Sequence, residues 1–282
     1  MAWRRPQPFP RHLELDPHHV ELVEFDLART SDEPFDVLSA AERARADRFG
    51  RDVHRERFIA GRCMLRVLLG GLLRLAPRDV VIRAGRNGKP ELAREHASPL
   101  RFNLSHSEDR AIVALALGRE VGVDVERVRR TVDAGDIALR FFAPGESTAL
   151  LGLPEPRRHE AFFRCWTCKE SYLKARGDGL LVRLDAFEVE PAEHPTRLRW
   201  SSLDAADVAR WRMNPLDLDA GYVAALTIEG ASHIRRWSAP ARREQLASGT
   251  ESRHDIASAR EGGVAQLSLE PATVRRGIIT RW

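Results

Sequence analysis

Apolar residues recur at helical spacing early in the chain and at strand-like alternation later. Over residues 39–75, Phe58, Ile59, Met64, Leu65, Leu68 and Leu69 form a stripe along one helix face. Ser39 followed by Glu42 is a capping-box pair that marks the start of that helix. Gly70-Gly71 marks its end or a kink, and Arg-Asn-Gly-Lys-Pro at 86–90 is a turn. The stretch LRFNLSHSEDRAIVALALG, from residue 100, reads as a short strand, a polar loop and a second strand over 111–117. Gly118 and Arg119 then reverse the chain and EVGVDVERV runs back, which predicts a hairpin. Residues 136–151 and 155–177 read as helices, and 184–190 and 221–230 as strands.

Helix followed by strands therefore occurs in each half. The expected fold is α+β, a pseudo-twofold pair of similar α+β subdomains in one chain. Residues 1–115 form the first subdomain and 116–238 the second, whose sheet is completed by 222–228 and capped by 234–237. From 239 to 282 the periodicity stops and Ala, Ser, Gly and charged residues dominate. That segment is read as a disordered tail, because it buries too little apolar surface to offset the entropy of ordering.

Composition narrows the function. No apolar run reaches the roughly 18 residues a membrane helix needs, and the basic first ten residues lack the apolar region of a secretory signal. A cytoplasmic protein is expected, with no membrane partner. Three cysteines give no disulfide framework, and the Cys165–Cys168 pair lacks further ligands for zinc. The net charge is +4 with a pI near 9.3, but the arginines are dispersed among acids. This argues against nucleic acid and suits an anionic small molecule or an acidic protein. Of 45 basic residues only Lys89, Lys169 and Lys174 are lysine, which points to places where a compact ammonium is needed rather than a planar guanidinium.

The chemistry-bearing residues lie close to those lysines. In Gly122-Val123-Asp124-Val125-Glu126, strand alternation sends the valines to one face and both carboxylates to the other. Two like charges side by side repel, and a bound cation would reverse that cost. In the helix over 155–177, Glu170 and Lys174 sit one turn apart, beside an apolar edge of Phe162, Trp166 and Leu173. They form either a surface ion pair or a third oxygen ligand, Glu170, with a phosphate-seeking Lys174. Hard oxygen ligands completed by water and phosphate suit Mg2+. Asn103, Ser105, His106 and Ser107 follow a short apolar run in a turn that can hydrogen-bond a phosphate or sugar, although a lone histidine is more often structural.

NGKP, FNLSHS, GVDVE and FFRCWTCKESYLKARGDGL, in this order and spacing, resemble the 4'-phosphopantetheinyl transferases of the long type, typified by the activator of surfactin synthetase. The resemblance spans roughly residues 10–238. It implies a monomer with coenzyme A between the subdomains and Mg2+ on Asp124, Glu126 and Glu170. Lys174 then lies at a phosphate, and Lys89, Pro90, Asn103, Ser105 and His106 contact the coenzyme. Glu170, Lys174 and His106 are the implied catalytic residues. DVHRERFIAGRCMLR matches the basic segment that holds the 3'-phosphate, with Arg57 the leading candidate and Arg51 and Arg45 behind it. The family often carries lysine there, whereas here arginine carries the charge. The implied reaction moves the phosphopantetheine arm to a serine of an apo carrier protein of the acyl, polyketide or peptidyl kind, in secondary metabolism, and releases 3',5'-ADP. Alternatives are another Mg2+-dependent phosphoryl-transfer enzyme, such as a nuclease, and a non-catalytic module that binds coenzyme A or carrier protein.

Overall fold

The computed structural model describes residues 6–10, 13–29, 35–179, 182–190, 197–219 and 221–239. The expected tail lies outside the described residues from 240 onward. The first half contains β1 (Gln7–Pro8), β2 (His19–Asp26), α1 (Ala40–Ala46), α2 (Asp52–Leu73), β3 (Ile82–Ala84), β4 (Pro90–Leu92), β5 (Leu100–Ser107) and β6 (Arg110–Leu117). The second contains β7 (Val121–Arg127), α3 (Ala134–Phe141), α4 (Pro144–Leu151), α5 (Glu155–Arg176), β8 (Phe187–Val189), β9 (Leu198–Ser201), α6 (Asp207–Arg210), β10 (Trp211–Asp217), β11 (Tyr222–Glu229) and β12 (His233–Ser238).

Each half is a 22-residue helix laid on a sheet. One sheet runs β1-β12-β2-β6-β5 and the other β10-β11-β7, with small ribbons β3-β4 and β8-β9 beside them. The alternation of each strand assigns its residues to layers. On β6, Val113 and Leu115 meet Ala60, Leu65 and Leu69 of α2, whereas Ile112, Ala114 and Ala116 face the other way. There they pack on Val121, Val123 and Val125 of β7 and Ala224 and Leu226 of β11. Val223 and Ala225 of β11 face α5, where Phe162, Phe163, Trp166 and Tyr172 are buried. The layers are therefore helix, sheet, sheet, helix, and the α+β pair is the observed architecture. Each fully buried large apolar side chain contributes about 1.5–3 kcal/mol, so the α5 aromatics dominate the second core.

Several sequence expectations change. The helix over 39–75 is two helices: the Ser39–Glu42 capping box is present, but α1 stops at Ala46 and Arg51 starts α2 in an extended conformation. The helix over 136–151 is likewise broken, with Pro144 beginning α4. The FNLSHS segment is not a loop, since Ser105, His106 and Ser107 all belong to β5 and are buried. No β6–β7 hairpin forms, because Gly118, at φ 64°, turns the chain out of the first sheet and β7 pairs with β11. The segment 234–237 does not cap the second sheet: β12 runs parallel to β2 in the first. Glu21 of β2 anchors it, accepting from the Arg235 guanidinium and from Trp237 Nε1 at 2.6 Å.

Candidate active site

β5 and β7 run side by side where the two sheets meet, yet belong to different ladders. Side chains of β5 take the place of backbone carbonyls. Asn103 Oδ1 accepts from the Val123 amide at 2.8 Å, Ser105 Oγ from Val125 at 3.3 Å and Ser107 Oγ from Arg127 at 3.1 Å. Each hydroxyl still has a proton to give. Ser105 donates to Asp124 Oδ1 at 3.0 Å and Ser107 to Glu126 Oε2 at 2.9 Å. The two carboxylates are thus on the second half and their hydroxyl partners on the first.

Helix α5 closes the other side. A side chain at Gly122 would overlap the Ser171 carbonyl and the Ala175 amide, so glycine is what lets α5 lie directly on β7. That approach brings Lys174 Nζ to 2.5 Å from Asp124 Oδ1 and 2.9 Å from Ser105 Oγ. Asp124 Oδ2 is buried and has no hydrogen-bond partner among the described residues. Burial pushes the Asp124 carboxyl up, with Lys174 pulling the other way. Glu126 is pushed up further, by burial and then by the Asp124 charge. These are carboxylates short of positive charge. Glu170, one turn before Lys174, is also buried. Among the described residues no three His, Cys, Asp or Glu side chains gather into a metal cage. An arrangement of this kind fits Mg2+, which takes one or two carboxylates and completes its shell with water and phosphate.

The other basic residues lie on α1, at the start of α2 and on the opposite face of β5. Arg57 is fixed by Asp109, Nε to Oδ1 2.8 Å. His106 is buried, and that burial, with Lys174 and Arg57 nearby, lowers its imidazole to about 3. Burial and the two neighbouring cations therefore favour its neutral form. His54, in the first turn of α2, is lowered by burial and by Arg57 and Arg51. Arg51 is exposed, and the Arg45 guanidinium sits 5.3 Å from the Phe58 ring centroid.

The model of the 4'-phosphopantetheinyl transferase superfamily matches residues 120–227, and that of the 4'-phosphopantetheinyl transferase N-terminal domain matches 29–117. The chain is 42% identical over 206 residues to the 4'-phosphopantetheinyl transferase HetI of Nostoc sp., covering 70% of this chain and 86% of that protein. The chain belongs to the 4'-phosphopantetheinyl transferase superfamily. A phosphopantetheinyl transferase of Thraustochytrium sp. is 31% identical over 206 residues, covering 68% of this chain and 70% of the relative. A Bacillus subtilis 4'-phosphopantetheinyl transferase is 32% identical over 155 residues, covering 54% and 66% respectively. The protein is accordingly an enzyme of phosphopantetheine transfer, and no helix among its described residues is long and apolar enough to cross a membrane.

In this transferase the Gly-Lys-Pro turn is built into the joint between the halves. Lys89 Nζ donates to Glu120 Oε2 at 2.7 Å and to the carbonyls of Ala175 at 3.0 Å and Val121 at 3.2 Å, which uses its three protons. Asn87 Nδ2 donates to the Gly177 carbonyl at 3.0 Å, and Arg86 approaches Asp178 at 3.5 Å. The turn therefore grips the C-terminal end of α5, and Pro90 begins β4 immediately after it. Asn103 is buried in the seam. Sequence reasoning placed Ser107 in a ligand-facing turn rather than against Glu126, and passed over Asp109 and Glu120. The alternation Asn103, Ser105, Ser107 was the available signal for the first, since polar residues at period two imply a strand with a hydrophilic neighbour.

Proposed function

We propose that this transferase moves the 4'-phosphopantetheine arm of coenzyme A to a serine hydroxyl of an apo carrier protein, with Mg2+, and releases 3',5'-ADP. The carrier is of the acyl, polyketide or peptidyl class. The serine oxygen bonds to the β-phosphorus as the bridge to the α-phosphate breaks, and the hydroxyl proton passes to a carboxylate. The observation that carries this reading is Asp124, with Oδ1 held by Lys174 and Ser105 and Oδ2 buried and unpartnered. A cation bound there would satisfy Oδ2 and relieve the repulsion from Glu126. Asp124 and Glu126 would hold the metal, with Glu170 joining from α5 as ligand or as base for the serine. When bound, Mg2+ supplies charge neutralisation for the pyrophosphate, which phosphoryl transfer needs more than covalent help.

Lys174, whose side chain keeps 23% of its surface exposed, is placed to add a second positive charge beside a phosphate. Arg57 supplies a guanidinium for the 3'-phosphate, and neutral His106 supplies a hydrogen bond rather than charge. A nuclease-like enzyme would not account for the match over both halves, and a non-catalytic module would not require the retained acidic pair.

The test is incubation with coenzyme A, Mg2+ and apo acyl, polyketide and peptidyl carriers, read by mass spectrometry. A gain of roughly 340 Da on the carrier, the phosphopantetheine increment, is expected with the native enzyme. Asp124→Ala should retain the fold by circular dichroism and give no gain. Full activity of Asp124→Ala at saturating Mg2+ would remove the metal role assigned to this carboxylate.

A further inference from the structure

We propose that Ser107 is a positioning residue for the metal-binding Glu126, acting across the seam between the two halves. The inference rests on the proposed metal role of Asp124 and Glu126. Ser107 is fully buried on β5, and its hydroxyl is used in both directions. It accepts from the Arg127 amide at 3.1 Å and donates to Glu126 Oε2 at 2.9 Å. The accepted bond occupies one lone pair and restrains the hydroxyl, which favours aiming its proton at the carboxylate oxygen. Among the described residues Ser107 is the one side chain that hydrogen-bonds Glu126.

The neighbouring repeat shows what such a bond does. Ser105 accepts from Val125 and donates to Asp124 Oδ1, which leaves Asp124 Oδ2 unpartnered. Asp124, however, has Lys174 on the same oxygen, so its orientation survives loss of the serine. Lys174 and Arg129 act on Glu126 only through space, and among the described residues no cation hydrogen-bonds it. Its longer side chain also has one more torsion to fix than aspartate. Ser107 therefore matters more to Glu126 than Ser105 does to Asp124. Hydrogen bonds that orient a metal-binding side chain typically change metal affinity by about 10–100-fold when removed.

The experiment measures Mn2+ binding by electron paramagnetic resonance in the presence of coenzyme A and the absence of carrier protein. The proteins are wild type, Ser107→Ala, Ser107→Cys, Ser107→Thr and Glu126→Gln. Ser107→Ala should bind Mn2+ about tenfold more weakly or worse, and Ser107→Thr, which keeps the hydroxyl, should recover most of that loss. A lower melting temperature in Ser107→Ala with Mn2+ affinity unchanged would mean that the hydroxyl only satisfies the Arg127 amide, and would overturn the proposal. If Ser107→Ala does not fold, Ser107→Cys decides: its weak thiol donor should give an intermediate loss, and wild-type affinity would overturn the proposal. Wild-type Mn2+ affinity in Glu126→Gln would overturn the metal reading itself, and this inference with it.

Discussion

Lys169 and Glu146 make an ion pair at the centre of the second half, with side chains 0% and 1% exposed. Lys169 Nζ donates to Glu146 Oε1 at 2.6 Å and Oε2 at 2.7 Å and to the Phe187 carbonyl at 2.8 Å, over the Phe187 ring. Glu146 also accepts from the amides of Ala143 at 2.9 Å and Val189 at 2.7 Å. The pair thus ties α4, α5 and β8 together one residue from Glu170. Glu146→Gln would leave the ammonium buried without its counter-charge. Removing one partner of a buried pair costs about 3–5 kcal/mol. Neutralising an ordinary lysine at pH 7 instead costs roughly 4–5 kcal/mol, and a glutamate roughly 3–4 kcal/mol. Both routes give the same range.

The two single variants should differ in the sign of their pH dependence. Burial already pushes the Glu146 carboxyl up, and Lys169 pulls it down. In Lys169→Met the carboxyl rises further, the folded state binds more protons than the unfolded one, and stability falls as pH rises. In Glu146→Gln the buried amine releases its proton on folding, and stability increases as pH rises. Urea unfolding between about pH 5.5 and 9 would measure both slopes, with the linear extrapolation applied at each pH. The Glu146→Gln, Lys169→Met double variant should be less destabilised than the sum of the two singles, because no orphan charge remains. A loss below about 1 kcal/mol in Glu146→Gln, or slopes of the same sign, would refute the argument, since an orphaned buried charge cannot be that cheap.

Lys89→Met removes three donated bonds at the joint and should lower the melting temperature by more than about 5 °C, on the order of 2 kcal/mol for a chain of this size; differential scanning calorimetry checks it. Removing the 3'-phosphate from coenzyme A should weaken binding to wild type and weaken it less in Arg57→Ala, by calorimetry; equal losses would reassign that contact. A stop codon after Pro240 should leave a folded, active transferase, whereas a stop before His233 should unfold it by exposing the β2 edge and stranding Glu21; matched melting and transfer assays distinguish the two.

The parts of this fold that sequence made legible are those whose signal is local. The alternation Val121, Val123, Val125 against Asp124 and Glu126 foretold two opposite faces, and the spacing of Phe162, Trp166 and Leu173 foretold a helix with an apolar edge over 155–177. The Ser39–Glu42 cap was equally readable because both partners lie within one turn. What was not legible depends on partners far along the chain. β7 looked like the return arm of a hairpin, but its ladder partner is β11, about a hundred residues later in the register Asp124 to Ala225. Ser105, His106 and Ser107 looked like a loop because polar residues in a strand make sense only when a neighbouring strand needs their hydrogen bonds. Lys89 looked like a ligand for an anion, and the acceptors that surround it are largely backbone carbonyls, which leave no mark in sequence. The transfer reaction itself was read from resemblance: the spacing of Glu170 and Lys174 alone was compatible with a surface ion pair.

The seam has a mechanical consequence for the site. Asp124 and Glu126 project from the second half, Ser105 and Ser107 reach them from the first, and Lys174 bonds to members of both. Lys89, at the other end of the same joint, holds Val121 and Ala175, the start of β7 and the end of α5. A displacement of one half on the other therefore has to break side-chain bonds to the very carboxylates that are proposed to bind the metal. Backbone ladders on either side can stay intact while this happens, because β5 and β7 share none. The site is for that reason more sensitive to the packing between the halves than to the stability of either half, and substitutions in the Val20, Ile112, Val123 and Leu226 core should disturb it without touching a single polar group.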